Sequence, residues 1–220
     1  MKNCVRFLAL MAIIMAILSS TNLFAQWPND ASQNLLVSDQ SGAQVLPKVC
    51  ATSDAGCYVS WHSTPTGNYD IYLQRLDSTG AAQWQEDGIL ISDHPQDTWV
   101  TDFDMTVDNQ DNAIITFNDI RNGVDRDIYA YKIGPDGSFL WGPDGLTISA
   151  NDGFEPDPQV MVTTNNNVVF AWQEEQTENV IHLRKVSPEG IDIWSPATIT
   201  ISATYFLLQF QESRRRIATE

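Results

Sequence analysis

The chain has 220 residues, a length that allows one or two domains. It carries 28 Asp and Glu residues against 12 Lys and Arg residues, so its formal net charge is -16. A chain this acidic is not expected to bind nucleic acid or an anionic membrane surface through bulk electrostatics.

The N-terminus has the features of an export signal. Lys2 and Arg6 precede an apolar run over 7–18, and Ala25 is a small residue suited to the position before a cleavage site. This pattern predicts a signal peptide over 1–25 and a secreted or cell-surface protein. The run is shorter than the roughly 20 apolar residues of a membrane-spanning helix, so no span is expected in the mature chain.

The remaining sequence repeats one pattern three times. The clearest stretches are LDSTGAAQWQEDGILIS at 76–92, IGPDGSFLWGPDGLTIS at 133–149 and VSPEGIDIWSPATITIS at 186–202. Similar apolar runs precede each stretch and extend the copies to about 43–92, 99–149 and 154–202. Because several columns agree at fixed offsets, the copies are expected to share one fold.

Each copy is predicted to form four short strands. Strand one is expected near 45–52, 101–108 and 158–164, strand two near 57–63, 112–119 and 167–173, and strand three near 70–76, 127–133 and 180–186. Strand four runs through the tryptophan to the final serine of each copy. Four antiparallel strands repeated about every 50 residues are typical of β-propeller blades. The predicted fold is therefore all-β, a β-propeller-like array of about three four-stranded antiparallel blades.

Two sets of positions are predicted to be structural parts of the repeat. Large rings in strand two suit the space between neighbouring blades, and a Gly-x-x-x-Trp turn precedes strand four. The ring positions are Trp61, Phe117 and Trp172, the glycines are Gly80, Gly137 and Gly190, and the turn tryptophans are Trp84, Trp141 and Trp194.

The Gly-x-x-x-Trp turn resembles the docking turn of quinoprotein-type β-propellers. The copies are also similar to the propeller-like repeats of large secreted bacterial proteins that end in a sorting domain for type IX secretion. These resemblances cover about 34–202 and imply the fold rather than an activity. A quinone-dependent dehydrogenase is disfavoured, because the resemblance is confined to the turn and the chain is short. The sialidase Asp box fits less well, since its aromatic residue lies three positions after the glycine and here the gap is four.

The two ends of the array are irregular. The stretch NLLVS at 34–38 resembles the end of strand four and predicts a lone strand. After Ser202 the tail at 203–220 lacks the features of a fourth copy, and a closed propeller takes four to eight blades. We expect an incomplete ring, either because the tail is out of frame or otherwise truncated, or because three blades form an open array or assemble with other chains.

Two kinds of chemical site are considered from residue types. Export permits a disulfide between Cys50 and Cys57, provided that the hairpin register places them face to face. Acidic clusters are weak calcium candidates, although the EF-hand spacing is absent; their residues are Asp102, Asp104, Asp108, Asp152 and Asp157. No other cofactor is expected. His62, His94 and His182 share no repeat column and are predicted to lie at the surface or at blade edges.

The recurring cation column is predicted to be structural. Arg75, Lys132 and Lys185 occupy one position of strand three, and each is expected to pair with a carboxylate of its own blade, including Asp70 or Asp127.

No catalytic set is recognisable in the sequence. It favours a secreted non-enzymatic binding or scaffold module with a protein or glycan of unknown identity as its partner, and the incomplete ring is compatible with the N-terminal part of a larger surface protein. The alternative is a carbohydrate-active hydrolase of propeller fold. Its catalytic groups would lie on loops such as 62–69 and 118–126, the second of which contains Asp119, Arg121, Asp125 and Arg126.

Overall fold

The computed structural model describes residues 32, 34–96, 102–123, 125–175 and 179–202. All regular elements in these ranges are strands. The described residues contain no helix long and apolar enough to cross a membrane. The strands are β1 (Gln44–Ala51), β2 (Cys57–Ser63), β3 (Asp70–Leu76), β4 (Ile89–Ser92), β5 (Asp104–Val107), β6 (Ala113–Asp119), β7 (Asp127–Ile133), β8 (Leu146–Thr147), β9 (Gln159–Val162), β10 (Val168–Glu174), β11 (Val180–Val186) and β12 (Thr198–Ile201). The predicted signal peptide at 1–25 and the tail at 203–220 lie outside the described residues.

The strands of the described ranges form three antiparallel sheets of four strands each. We call them blade 1 (β1–β4), blade 2 (β5–β8) and blade 3 (β9–β12); within each blade the strands pair in sequence order. The predicted all-β, propeller-like array of four-stranded blades is confirmed. It forms because each copy alternates strand-favouring segments with turns that reverse the chain.

One turn has the same backbone geometry in all three copies. Gly80, Gly137 and Gly190 have φ values of 84°, 84° and 85°. Residues with a Cβ seldom adopt this left-handed region, so the turn between the third and fourth strands requires glycine. The sequence column therefore reflects a backbone constraint.

Blade 2 is buried on both faces. Every residue of β6 and β7 is buried, whereas burial alternates along β10 in blade 3. One apolar core joins Tyr58 and Leu73 of blade 1 to Tyr131 of blade 2, and a second joins Ile128 of blade 2 to Phe170 of blade 3. Blade 3 therefore has one face packed on blade 2 and a second face, which we call its far face.

The first strands of the three blades run beside one another. β5 lies between β1 and β9 and contacts both. This places the start of each copy at the inner side of the array. The chain connections that enter β5 and β9, and the loops between second and third strands, meet at one end of it: Asn118 Nδ2, for example, donates a 2.8 Å hydrogen bond to the Glu155 carbonyl.

Segment 34–38 forms no strand in the structure, in contrast to the sequence prediction. No described strand pairs with it, so it lacks the hydrogen-bonding neighbour that defines a strand. Leu36 and Val37 instead share a cavity with Val59 and Trp61 of blade 1.

The disulfide considered from the sequence is not formed. Cys50 lies opposite Tyr58, and Cys57 lies opposite Ala51, so the two cysteines are offset by one position. Successive side chains of a strand point to opposite faces, and this offset separates the thiols. Both cysteines are free, and Cys50 Sγ donates a 3.0 Å hydrogen bond to the Met105 carbonyl of blade 2.

Candidate functional site

The repeat tryptophans connect each blade to the next. Trp84 Nε1 donates a 3.2 Å hydrogen bond to the Pro135 carbonyl of blade 2. Trp141 Nε1 repeats this contact at 3.1 Å with the Pro188 carbonyl of blade 3. In strand two, Trp61, Phe117 and Trp172 are all buried. Trp84 and Trp141 thus join neighbouring blades, whereas Trp172 also lines the cleft described below.

The recurring cations pair with carboxylates that the sequence analysis did not select. Arg75 forms an ion pair with Asp54 at 2.6 Å, and Lys132 forms one with Asp108 at 2.9 Å. The partners lie at the tip between the first two strands, at the other end of strand three from Asp70 and Asp127. The predicted pairing within a blade is confirmed for Arg75 and Lys132, but it is not seen for Lys185 among the described residues, and the partners named, Asp70 and Asp127, were wrong.

The weak calcium candidates do not form a ligand cluster. Among the described residues, no three His, Cys, Asp or Glu side chains converge as metal ligands would. Asp108 is bound by Lys132, and Asp104 Oδ2 accepts a 2.9 Å hydrogen bond from the Val160 amide. Asp102 forms an ion pair with Lys48, and its amide donates to Asp157 Oδ1 at 3.1 Å.

Loop 118–126 does not present its acidic and basic residues as a catalytic set. The Asp119 side chain is buried and forms a 2.6 Å ion pair with Arg121. The Arg121 guanidinium also lies 3.5 Å from the ring centre of Tyr129. Arg126 is buried. Asp119 is thus held in a structural ion pair and does not face solvent.

Two histidines occupy positions that the sequence did not predict. His62 is buried, with its ring edge-on to Phe103 at a centroid distance of 5.0 Å. Burial lowers the pKa of His62 to about 4, so it is neutral at neutral pH. His182 Nε2 lies 2.7 Å from Glu174 Oε2, and its ring stacks on Trp172.

The candidate site is an open cleft of about 550 Å³ at the inner end of blade 3. Its floor, on the far face of the sheet, consists of Gln159, Ala171, Gln173 and Ile181. Its wall, made by the chain segments that connect the strands, consists of Asp102, Phe154, Pro156, Asp157 and Glu175. Trp172 also lines the cleft, which therefore combines three carboxylates with two aromatic rings and amide side chains.

Backbone contacts fix the wall in place. The Glu175 amide donates a 2.8 Å hydrogen bond to the Phe154 carbonyl, and the two residues form a β-bridge. The Asp102 amide donates a hydrogen bond to Asp157 Oδ1. Side chains positioned by such main-chain contacts lose less freedom when a ligand binds.

Glu155 lies behind the wall as a buried acid. Its exposed fraction is 0%, and its Oε1 accepts hydrogen bonds from Ser149, Asn151 and Trp172 at 2.6, 2.7 and 2.8 Å. Oε2 is buried and has no hydrogen-bond partner among the described residues. Burial raises the pKa of Glu155 even though the three hydrogen bonds oppose the shift. Through these hydrogen bonds Glu155 ties strand β10 to the segment that carries the wall.

Sequence reasoning missed this cleft. Asp102 and Asp157 were named only as calcium candidates, and Glu175 was not named. Asp102 belongs to the second copy, whereas Asp157 and Glu175 belong to different parts of the third copy. Only the packing of blade 3 on blade 2 brings these residues together. The available signal was that Asp102 and Asp157 occupy the same repeat column.

No family model matches the sequence, and no curated protein matches it. Among solved structures, the chain is similar to an alpha-L-arabinofuranosidase from Clostridium thermocellum ATCC 27405, with 17% identity and a TM-score of 0.47 over 75% of this chain and 53% of that one. It is also similar to an endo-arabinase from Bacteroides thetaiotaomicron VPI-5482, with 13% identity and a TM-score of 0.41 over 71% of this chain and 61% of that one. The chain thus spans about half to three-fifths of these structures.

The comparison corrects the function favoured by the sequence. Both similar structures are enzymes that cleave glycosides, which counts against a non-enzymatic binding or scaffold module. That interpretation is contradicted and is not retained. At this identity the likeness assigns no activity to the chain.

Proposed function

We propose that the chain is part of a secreted carbohydrate-active hydrolase of propeller fold, and that the cleft of blade 3 binds the glycan. The observation that carries the proposal is the set of carboxylates, Asp102, Asp157 and Glu175, on one wall of an open cleft. Glycans present hydroxyl groups, which form hydrogen bonds with carboxylates and amides, and apolar ring faces, which pack on aromatic side chains. The cleft supplies carboxylates in its wall and amides in its floor, and Phe154 supplies an aromatic ring.

The same wall contains carboxyl groups of the kind that glycoside hydrolysis uses. Two carboxyl groups flank the scissile bond: one donates a proton to the leaving oxygen, and the other acts as a base or nucleophile. The Asp102 carboxylate forms an ion pair with Lys48, so Asp157 and Glu175 are the carboxyl groups assigned to these roles. Asp157 already accepts a backbone N–H, which suits the carboxylate that stays unprotonated. We therefore assign the proton donor to Glu175.

The test is release of reducing sugar from a panel of polysaccharides that includes arabinan and xylan. Asp157→Asn and Glu175→Gln are each expected to lower the rate by about 10²-fold or more, because each removes one proton-transfer or nucleophilic group. Binding should persist in both variants, since the amide side chains keep the shape of the wall.

Asp136→Asn is the matched control. Asp136 is an exposed acid in a turn of blade 2, and its carboxylate contacts only its own turn in the described residues. Its substitution should leave release unchanged. Release that survives substitution of both Asp157 and Glu175 contradicts the assignment, and binding of glycans without release from any of them contradicts the hydrolase.

We further propose that the protein is exported through the leader at 1–25, outside the described residues. The supports are the composition of that segment and the resemblance of the repeats to those of type IX-secreted surface proteins. A glycan is the proposed partner. A bound calcium ion stays a weaker prediction.

A further inference from the structure

One backbone contact recurs where the chain enters the first strand of each blade. The residue just after strand two donates its amide to a carbonyl of the entering segment. The donor and acceptor pairs are Thr64 with Ala43 at 3.0 Å, Ile120 with Pro95 at 2.9 Å, and Glu175 with Phe154 at 2.8 Å. The residue that follows the acceptor is therefore an equivalent position in the three copies. It is Gln44 in blade 1, Gln96 in blade 2 and Glu155 in blade 3.

Glutamine at this position is compatible with the blade fold, since two of the three copies carry it. Gln96 is as buried as Glu155, with exposed fractions of 2% and 0%. A carboxyl group is therefore not needed to build a blade. The blade that carries one is the blade with the cleft, which indicates a role for Glu155 in the cleft rather than in the fold.

Glu155 contacts the cleft from behind through two of its lining residues. Its Oε1 accepts a hydrogen bond from Trp172 Nε1 at 2.8 Å. In blade 1, the equivalent Trp61 Nε1 is buried and has no hydrogen-bond partner among the described residues, so this bond is not a general feature of the repeat. Phe154, the preceding residue, lies in the wall and accepts the Glu175 amide at its carbonyl. A movement of Glu155 is therefore passed on to Glu175.

The two oxygens of the Glu155 carboxyl group have different surroundings. Oε1 accepts three hydrogen bonds, whereas Oε2 is buried and has no donor among the described residues. Ionisation would place part of the charge on this second oxygen, and a buried charge without a donor is unfavourable. Burial, with a further contribution from the charge of Glu174, raises the pKa of Glu155 against the effect of the hydrogen bonds.

Other titratable and charged groups lie on the elements around Glu155. On blade 3, Glu174 Oε2 lies 2.7 Å from His182 Nε2. On blade 2, Arg126 donates to Asn118, and Asn118 in turn donates to the backbone carbonyl of Glu155. A response to pH at this end of the blade has to be assigned to Glu155 or to the Glu174–His182 pair, and the experiment below separates them.

We propose that Glu155 is a positioning residue of the cleft: with its proton bound it holds the bridge between Phe154 and Glu175, and loss of the proton to solvent loosens that bridge. The inference rests on the proposed function only in taking Glu175 as the proton donor. Ionised Glu155 is relieved when the segment over 149–156 moves enough for water to reach Oε2, and this segment carries Phe154. The wall is thus held at acidic pH and loosens as pH rises.

Hydrogen exchange of the Glu175 amide measures the bridge directly. NMR of the full-length chain gives protection factors, which are corrected for the intrinsic effect of pH on exchange. Between pH 4 and 8 the protection factor of Glu175 is expected to fall by about tenfold or more in the wild type, because the amide is then released by local opening. It should stay constant in Glu155→Gln. The Thr64 amide, which makes the same contact in blade 1, is the internal control and should be constant in both proteins.

Glu174→Gln distinguishes Glu155 from its acidic neighbour and tests the proposal even where Glu155→Gln does not fold. This variant should keep the fall in Glu175 protection, since Glu155 is still present. A fall that disappears in Glu174→Gln, or that is the same in Glu155→Gln as in the wild type, shows that another group controls the wall and overturns the proposal.

Constant Glu175 protection in the wild type also overturns it. None of these measurements uses a glycan, so a chain that releases no sugar contradicts the proposed function without affecting this test.

Discussion

At the scale of single residues, buried charge in this acidic protein is handled in two ways. Asp108 is enclosed with Lys132, and the hydrogen bonds from Asn112 and Lys132 lower its pKa against the opposing effect of burial. Glu155 has hydrogen-bond donors but no cation in its described contacts, and burial raises its pKa. An ion pair can keep a buried carboxylate charged, whereas a carboxyl without one is more easily kept neutral.

Glu155→Gln is expected to reduce the loss of stability that occurs as pH rises above the ordinary pKa of a glutamate. The folded-state pKa of Glu155 is raised, so the stability it contributes is fully present below its unfolded pKa and is lost as pH rises through its folded pKa. Each unit of such a shift is worth about 1.4 kcal/mol in the free energy of unfolding. Denaturant unfolding from pH 4 to 8 measures the free energy of unfolding of both proteins. The value for the variant should increase relative to that of the wild type as pH rises.

Glu189→Gln is the control with the opposite sign. Glu189 is exposed, and a hydrogen bond from Ser187 lowers its pKa, so its contribution is lost as pH falls. A Glu155→Gln variant whose stability parallels that of the wild type at every pH contradicts a raised pKa of Glu155 in the folded protein.

At the scale of elements, the blades are joined by one turn used repeatedly. Trp141 is mostly buried: its ring lies 6.4 Å from Phe170, and its Nε1 reaches the Pro188 carbonyl of the next blade. Gly190 lies beneath this ring, and a Cβ there would approach Leu146 Cδ1 to 2.6 Å. Within one copy, the glycine therefore contacts the tryptophan of the preceding blade, and the tryptophan four residues later contacts the following blade.

Trp141→Ala is expected to lower the free energy of unfolding by about 3–5 kcal/mol, because it removes a buried ring and leaves a cavity between blades 2 and 3. Chemical denaturation measures this change. Leu140→Ala, at the preceding exposed position, should change stability by no more than about 0.5 kcal/mol. Equal stability of the Trp141→Ala variant and the wild type contradicts the docking role.

At the scale of the whole molecule, the net charge of -16 sets a repulsive background. The ion pairs at Lys48, Arg75 and Arg184 lie at partly exposed positions and use few of the carboxylates. Exposed pairs contribute little each, whereas the summed repulsion of many like charges disfavours the compact state. Salt screens both kinds of interaction. Screening of the ion pairs lowers stability, whereas screening of the repulsion raises it.

Adding sodium chloride from about 0.01 to 0.15 M is expected to raise the melting temperature by about 2–4 °C, because screening relieves about 1 kcal/mol of self-repulsion. Calorimetry at fixed pH measures the change. The buried Asp108–Lys132 pair is screened much less, so Lys132→Met should keep the same salt dependence. A melting temperature that falls with salt would show that the surface ion pairs outweigh the repulsion.

The amino-acid sequence determined the blade architecture, because its information is local and repeated. The Val- and Ile-rich runs of strand two, the glycines at positive φ and the turn tryptophans recur at fixed offsets, and each acts within one blade or on its neighbour. The tertiary structure alone decided the rest: the one-residue offset that separates Cys50 from Cys57, the burial of His62 and Asp119, and the cleft that unites Asp102, Asp157 and Glu175. These features depend on strand register and on packing between copies, which bring together residues whose spacing along the chain carries no common signal.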